Sequence, residues 1–248
     1  MNICVIVLTI FFVALAVAVN KRRACVLNSA PQQRKEHFGD GVGTRNWTNC
    51  EKKHYRCGDI IKSNKHRNLL GKYHRECYPN SIAVEYMKRT QHEKDYNTLI
   101  DIINSRKVKG PGRFTLVVHL RCGDVLEKSP YSVEEHLQKN RKYNNGLFYV
   151  KTRNYYNRII SIIRNYDIRN VEIVSYYHNS KRYPKSIEYI TNIRNIFSKK
   201  YITKIISGRE PDFDLSYMSK SKYFVQSGGG FSRIIADLVK VNNGIVLN

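Results

Sequence analysis

From residue 114 onward, two hydrophobic patterns alternate along the chain. Short runs of apolar and β-branched residues are followed by longer segments in which apolar residues recur every three or four positions. The first pattern is typical of buried strands and the second of amphipathic helices. The predicted strands are 114–120, 170–177, 200–207, 223–227 and a last strand within 244–248. The predicted helices are 155–166, 186–197, 214–221 and 231–241.

Strands that alternate with helices of this length indicate a parallel sheet with helices on both faces. We therefore expect an α/β fold with a Rossmann-like C-terminal sheet. In such sheets, ligands bind at the carboxyl ends of the strands.

The part of the chain before residue 114 has a different composition. Residues 25–60 are polar with several glycines, which favours loop, and 80–107 has apolar residues at helical spacing, which predicts one or two helices. "KGPGR", 109–113, is a breaker cluster. The expected segments are a leader at 1–24, a short Cys-containing region at 25–112 and the α/β domain at 113–248.

The leader is apolar and uncharged over residues 3–19, and "NKRR" follows it. This length lies between a signal-peptide core and a membrane span, which needs about 17–25 residues. "AVA" at 16–18 resembles a cleavage site, whereas the basic cluster would favour a cytoplasmic C-terminal side. We expect entry into the secretory pathway, as a secreted protein or anchored in the ER or Golgi membrane. A buried core helix is the alternative, but the segment lacks a polar face.

The chain has 6 cysteines. Four of them lie in the region 25–112, which favours disulfides in an oxidising compartment, and the pairing cannot be deduced. Zinc is the rival interpretation, but no C-x-x-C occurs.

The net charge is strongly positive, with 43 Lys+Arg against 20 Asp+Glu and a formal charge of +23. Such a field attracts polyanions, including nucleic acid, acidic glycans and nucleotide phosphates. A biased codon usage is an equal alternative, because Asn, Ile, Lys and Tyr are all abundant.

Three ionisable residues end the first strand of the α/β part, in "FTLVVHLRCGDV", 114–125. Arg121 offers a planar cation that can hold phosphate oxygens. His119 lies two positions earlier, on the same face of an extended strand. Asp124 could orient the arginine, or the two could form a purely structural ion pair.

A second candidate segment is "KYFVQSGGGFSRIIADL", 222–238, which is a strand, a glycine turn and a helix. Glycines let a ligand approach the backbone, and the helix start offers free N–H groups to an anion. Ser232 could cap the helix or bind the ligand. The segment is neither a dinucleotide fingerprint nor a Walker A loop, and a plain tight turn is the alternative.

Together, the two segments resemble the GDP-fucose-dependent fucosyltransferases. "VVHLRCGDV" is similar to their H-x-R-R-G-D motif, and 214–232 is similar to the C-terminal motif of the alpha-1,2-fucosyltransferases. The alpha-1,6- and protein O-fucosyltransferases share this plan more loosely. The resemblance covers about 114–128 and 210–240.

The resemblance implies a GT-B-like, inverting glycosyltransferase with GDP-fucose as donor, no metal and no cofactor. Its partners would be the nucleotide-sugar donor, a glycan or glycoprotein acceptor and, through an uncleaved leader, a membrane, but no nucleic acid. Arg121 would grip the diphosphate and assist GDP departure. The other implied binding residues are His119, Asp124, Asp214, Ser227, Gly229, Gly230, Phe231 and Ser232.

The sequence also departs from the family pattern. Cys122 stands where a second basic residue is usual, and three glycines replace the usual Ser/Thr before Phe231. No general base can be selected among His54, Glu51, Asp59, Glu76 and Glu85.

Three other interpretations stay open. "DFD", 212–214, could be a metal-binding D-x-D of the other glycosyltransferase fold. The charge and the 18 tyrosines could belong to a nucleic-acid-binding protein. The chain could also be an inactive, glycan-binding relative.

Overall fold

The computed structural model of the chain describes residues 57–63, 75, 77–143, 148–175 and 183–248. The strands are β1 Thr115–Leu120, β2 Asn170–Ser175, β3 Ile202–Ile206, β4 Tyr223–Val225 and β5 Ile245–Leu247. The helices are α1 Cys57–Lys62, α2 Ile82–Arg89, α3 Tyr96–Ser105, α4 Asp124–Glu127, α5 Val133–Gln138, α6 Arg153–Ile163, α7 Pro184–Ser198, α8 Pro211–Met218 and α9 Gly230–Val241.

The strands form one sheet with the order β3-β2-β1-β4-β5. Every neighbouring pair is parallel, and β1 lies at the centre. Val118 pairs with Ile173 on one side and with Val225 on the other. The strand order reverses direction at β1, which is where open α/β sheets bind ligands. The expected α/β fold with a parallel sheet flanked by helices is confirmed.

Alternate residues of the strands enter two separate cores. Leu116, Val118 and Leu120 of β1 pack with α4, α5, α6 and α7. Val117, between them in sequence, packs on the other face with α1, α2, α3, α8 and α9. This alternation is the period of a strand covered on both faces.

Helices from the predicted N-terminal region belong to one of these cores. Ile82 of α2 and Ile102 of α3 are fully buried in the same cluster as Val117 and Phe224 of the sheet. The segment boundaries at 24 and 112 stay predictions.

Two helices begin earlier than predicted, and the residues at their N-termini explain why. The hydroxyl of Thr152 accepts from the backbone N–H of Tyr155, so α6 begins at Arg153. Helix α8 begins at Pro211, before the predicted 214, because proline suits the first helical turn.

Three short helices were not predicted. Helix α1 overlaps the end of the segment 25–60, which was expected to be mostly loop. Helices α4 and α5 follow β1, and α5 carries a capping box formed by Ser132 and Glu135. The letters "SVEE" signal such a box in the sequence.

Two cysteines among the described residues differ in their bonding. Cys77 is disulfide-bonded, whereas Cys122 is a free, buried thiol. Within the described residues, none of the helices combines the length and apolar character needed to cross a bilayer. The predicted leader, 1–24, lies outside those residues.

Candidate functional site

The carboxyl ends of the adjacent strands β1 and β4 bring the two candidate segments together. The Oγ of Ser227 lies 3.0 Å from Nδ1 of His119. The ring of His119 also meets the ring of Phe231 edge-on, with 5.8 Å between centroids. His119, Ser227 and Phe231 therefore form one contact group at this edge of the sheet.

The electrostatics of this group keep the histidine neutral. Burial of the imidazole, with the nearby charge of Arg121, lowers the pKa of His119 to about 3. A neutral ring has one donor and one acceptor nitrogen. Because Nδ1 faces the Ser227 hydroxyl, Nε2 is the nitrogen that His119 could offer to a ligand.

Arg121 follows β1 and is held on one side by an acid. Its guanidinium nitrogen Nη2 donates to Oδ1 of Asp124 at 2.8 Å. The guanidinium carbon also lies 6.0 Å from the ring centre of Tyr149. Arg121 and Asp124 are mostly enclosed, with 18% and 13% of their side chains exposed. The orienting contact expected of Asp124 is therefore present, and it would also be made by a structural ion pair.

The turn between Arg121 and α4 is held by helix α7. Ser186, fully buried, accepts the backbone N–H of Gly123 at 2.9 Å and donates to Oε1 of Glu127 at 2.8 Å. The same carboxylate oxygen accepts the N–H of Ser186 at 2.8 Å. This network ties Gly123, before α4, and Glu127, at its end, to α7, which limits where the neighbouring Arg121 can lie.

Cys122, at the position of the family's second basic residue, does not contribute to this edge. It is 4% exposed and packs in the core on the α6 and α7 face. Burial raises the pKa of its thiol. A charged side chain with this orientation would be buried in an apolar core.

The glycine turn has two positions that require glycine. A Cβ on Gly228 would lie 2.4 Å from Cα of Tyr149, closer than real Cβ atoms approach backbone. Gly229 has a φ of 92°, which other residues rarely adopt. The N–H of Gly228 also donates to the carbonyl of Tyr149 at 3.1 Å. The turn is thus held tightly against the residue that approaches Arg121.

Helix α9 begins directly after this turn. Gly229 is its N-cap and supplies no side-chain hydrogen bond. Gly230 and Phe231 open the helix, so their N–H groups belong to the first turn, which has no intrahelical acceptors. Such a helix start favours an anion.

Ser232 supports the turn from inside the protein. It is fully buried, and its Oγ accepts the N–H of Ser227 at 3.0 Å. The hydroxyl thereby fixes the backbone of Ser227. A direct contact between Ser232 and a ligand stays a prediction.

Asp214 belongs to a different cluster, in the first turn of α8. Its carboxylate lies 2.6 Å from Arg209. The two groups form an ion pair, with the carboxylate almost fully buried. Burial raises the pKa of Asp214 to about 6 despite the arginine. Among the described residues, no hydrogen bond or ion pair joins it to His119, Arg121 or Ser227.

The D-x-D interpretation is disfavoured by the partners of both acids. Oδ2 of Asp212 accepts the N–H of Ile82 at the start of α2, at 2.8 Å. Burial raises the pKa of Asp212 to about 7. One acid therefore holds a helix start while the other faces an arginine, so the two do not present a paired set of oxygens.

Four of the five candidate general bases have side chains outside the part of the chain that the structure describes. These are Glu51, His54, Asp59 and Glu76. Glu85 bridges Arg89 and Arg106, which engages its two oxygens.

Two residues of the site were not predicted. Gly228 makes the closest backbone approach in the turn, whereas only Gly229 and Gly230 were selected. Tyr149 packs against the turn and approaches Arg121. The letters around Tyr149 have no periodic pattern, so only the fold reveals its position.

The fold and the site define an α/β protein in which a neutral histidine, an arginine and the start of a helix lie where β1 and β4 end. No family model and no curated protein matches the sequence. Solved structures that resemble the chain include POFUT1 in complex with GDP, at 14% identity and a TM-score of 0.37 over 78% of this chain and 62% of that one. POFUT1 in complex with GDP-fucose is 13% identical, with a TM-score of 0.34 over 76% and 57%.

This chain thus spans about three fifths of the length of those structures. We draw no functional conclusion from a likeness of this size.

Proposed function

We propose that the chain is a glycosyltransferase that transfers fucose from GDP-fucose to a glycan or glycoprotein acceptor. The observation that carries the proposal is the 3.0 Å contact between His119 and Ser227. It joins the two segments whose ordered pair resembles the fucosyltransferase motifs. A GT-B-like arrangement and an inverting, metal-independent mechanism are the finer parts of the same proposal.

The positive groups at this edge suit a diphosphate. Arg121 would bind phosphate oxygens through its guanidinium group, and the first turn of α9 would donate its N–H groups. His119 would contact the nucleotide or the sugar through Nε2. Gly229 would let the phosphates approach the backbone.

In the proposed reaction, an acceptor hydroxyl attacks C1 of fucose from the side opposite GDP. The C1–O bond to the diphosphate breaks, and its electron pair leaves with GDP. Arg121 and the helix start would stabilise the negative charge that develops on the leaving oxygen, without a metal. The hydroxyl proton passes to a general base, which is not identified among the described residues.

The proposed setting is the secretory pathway. The apolar segment 3–19 and the disulfide at Cys77 support it. The protein would be isolated from the medium and from the membranes of cultured eukaryotic cells. N-terminal sequencing of both fractions would then tell whether the leader is cleaved or anchors the protein.

A thermal shift with GDP, UDP or no nucleotide, each in EDTA, tests the donor site. GDP at about one hundred times its Kd adds ~2.7 kcal/mol, which is several degrees. We expect a shift with GDP that Arg121→Gln removes. Arg169→Gln is the matched control, because Arg169 is exposed just before β2, at the opposite end of the strand from the site, and forms an ion pair with the exposed Asp167.

A shift of equal size with UDP, or one that Arg121→Gln leaves intact, would contradict the proposed donor site. Binding of GDP without hydrolysis or transfer of GDP-fucose to any acceptor would favour the inactive, glycan-binding relative.

A further inference from the structure

A cavity of about 580 Å³ lies beside the site, beyond the end of β4. It is bounded by Gln226 and Ser227 on the sheet side and by the first turns of α6 on the other. Small-molecule sites have volumes of about 300–1,000 Å³ but are mostly apolar. This cavity is lined by amide, hydroxyl and basic side chains, which suit a hydrophilic ligand.

The charge of the lining is positive. Lys151 and Arg158 both line the cavity, and no acidic side chain does. Among the described residues, neither cation lies within ion-pair distance of a carboxylate. Both flank the ring of Tyr155, with the Lys151 ammonium 5.2 Å and the Arg158 guanidinium 5.7 Å from its centre. The two like charges therefore lie near the same ring at the cavity wall, and no acidic side chain among the described residues pairs with either.

The proximity of these cations has a measurable consequence. Burial and the charge of Arg158 lower the pKa of Lys151. An anion bound near both cations would offset part of the cost of keeping the Lys151 ammonium charged. The start of α6 adds to the same preference, since a helix N-terminus favours negative charge.

A hydrogen bond fixes the cavity wall next to Lys151 and Arg158. The hydroxyl of Tyr155 donates to the carbonyl of Gln226 at 3.0 Å, which ties α6 to the end of β4. The amides of Asn154 and Gln226 line the same space. Amide side chains both donate and accept, so they can bind sugar hydroxyls.

We propose that this cavity binds an acidic saccharide as part of the acceptor, with its carboxylate or sulfate between Lys151 and Arg158. The proposal rests on the proposed function, because Ser227 both lines the cavity and contacts His119. A saccharide held here would lie next to the donor site. The amides of Asn154 and Gln226 would bind its hydroxyls.

The test is isothermal titration of the protein with three probes. These are a disaccharide of glucuronic acid and N-acetylglucosamine, neutral N-acetyllactosamine, and inorganic sulfate. We expect the acidic disaccharide to bind more tightly than either of the others. Lys151→Gln and Arg158→Gln should each weaken it about tenfold, as removal of a charged hydrogen-bond partner does.

Arg164→Gln is the matched control. Arg164 is exposed at the end of the same helix, so the variant loses the same net charge without reaching the cavity. An equal loss of affinity in Arg164→Gln would show a general charge effect and overturn the proposal. So would equal binding of the neutral disaccharide, binding of sulfate as tight as that of the sugar, or no binding of any probe.

GDP titrated into the same samples separates this proposal from the proposed function. Binding of GDP without the acidic disaccharide overturns the acceptor cavity alone. Binding of the acidic disaccharide without GDP overturns the donor site and leaves an acidic-saccharide-binding cavity.

Discussion

The hydroxyl of Ser227 lies 3.0 Å from Nδ1 of His119, although 108 residues separate them in the chain. Ser227 is 3% exposed and is itself fixed by Ser232. The imidazole is thereby held in one orientation at the end of β1, with its second nitrogen left for a ligand.

We expect these two side chains to be coupled in GDP binding. Ser227→Ala should lower the GDP affinity by about 0.5–1.5 kcal/mol, because it removes one hydrogen bond. The same change in a His119→Ala background should have little effect. A double-mutant cycle by titration calorimetry measures the coupling. Ser161→Ala, on the exposed face of α6, is the control, and additive losses would contradict the coupling.

Gly228 should be intolerant of any side chain. Gly228→Ala places a Cβ against the backbone of Tyr149, and such overpacking costs about 1–3 kcal/mol or more. Urea denaturation measures the change. Gly112→Ala should cost less, because its Cβ would meet only the side-chain oxygen of Thr115, at 3.2 Å. Equal stability of the two variants would contradict the tight turn.

Ser186→Ala should loosen the turn that carries Arg121. The N–H of Gly123 would lose its acceptor, and loss of one hydrogen bond costs about 0.5–1.5 kcal/mol. We expect a lower free energy of unfolding together with weaker GDP binding. Ser198→Ala, at the exposed end of the same helix, should change neither quantity. A stability loss without any change in GDP affinity would show that the network does not position Arg121.

Removal of the Arg209 charge should destabilise the protein more at high pH. The pKa of Asp214 is raised to about 6, so its contribution to stability is full below the ordinary value of 3.8 and is lost as the pH rises through 6. Arg209→Met raises that pKa further. At pH 8 it leaves a buried, unpaired carboxylate, which costs about 1–3 kcal/mol, whereas at pH 5 the carboxyl is protonated.

Urea denaturation at pH 5 and pH 8 measures this difference, and Arg209→Lys is the control that keeps the charge. Arg209 also packs over Phe213 and Tyr217, and loss of that packing acts equally at both pH values. A loss independent of pH would mean that packing, rather than charge, is the role of Arg209.

The parts of the fold that hydrophobic periodicity could predict are the longer elements. Helix α9 carries several repeats of the helical period and strand β1 is a continuous apolar run, and the bounds of both differ from the predictions by a residue. Helices α4 and α5 have 4 and 6 residues, which is less than two turns and too short for a periodic signal. Of these two helices, only α5 has a recognisable signal in the sequence, which is its capping box.

The site was predictable only as far as it lies in strand ends and turns. His119, Arg121 and Ser227 end strands, and parallel strands end at one edge, so their proximity follows from the fold class. The partner of Asp212 does not follow, because the N–H of Ile82 is 130 residues away from Asp212. Tyr149 lies in a loop whose course no local pattern predicts.

The pairing of β1 with β4 also has a consequence for folding. These strands are neighbours in the sheet but are separated by about one hundred residues, and closing so long a loop is entropically costly and slow. The proposed donor site therefore exists only after this pairing has formed. A ligand that binds there should slow unfolding without accelerating the early steps of folding, so nucleotide binding would report the fraction of chains that have completed the sheet.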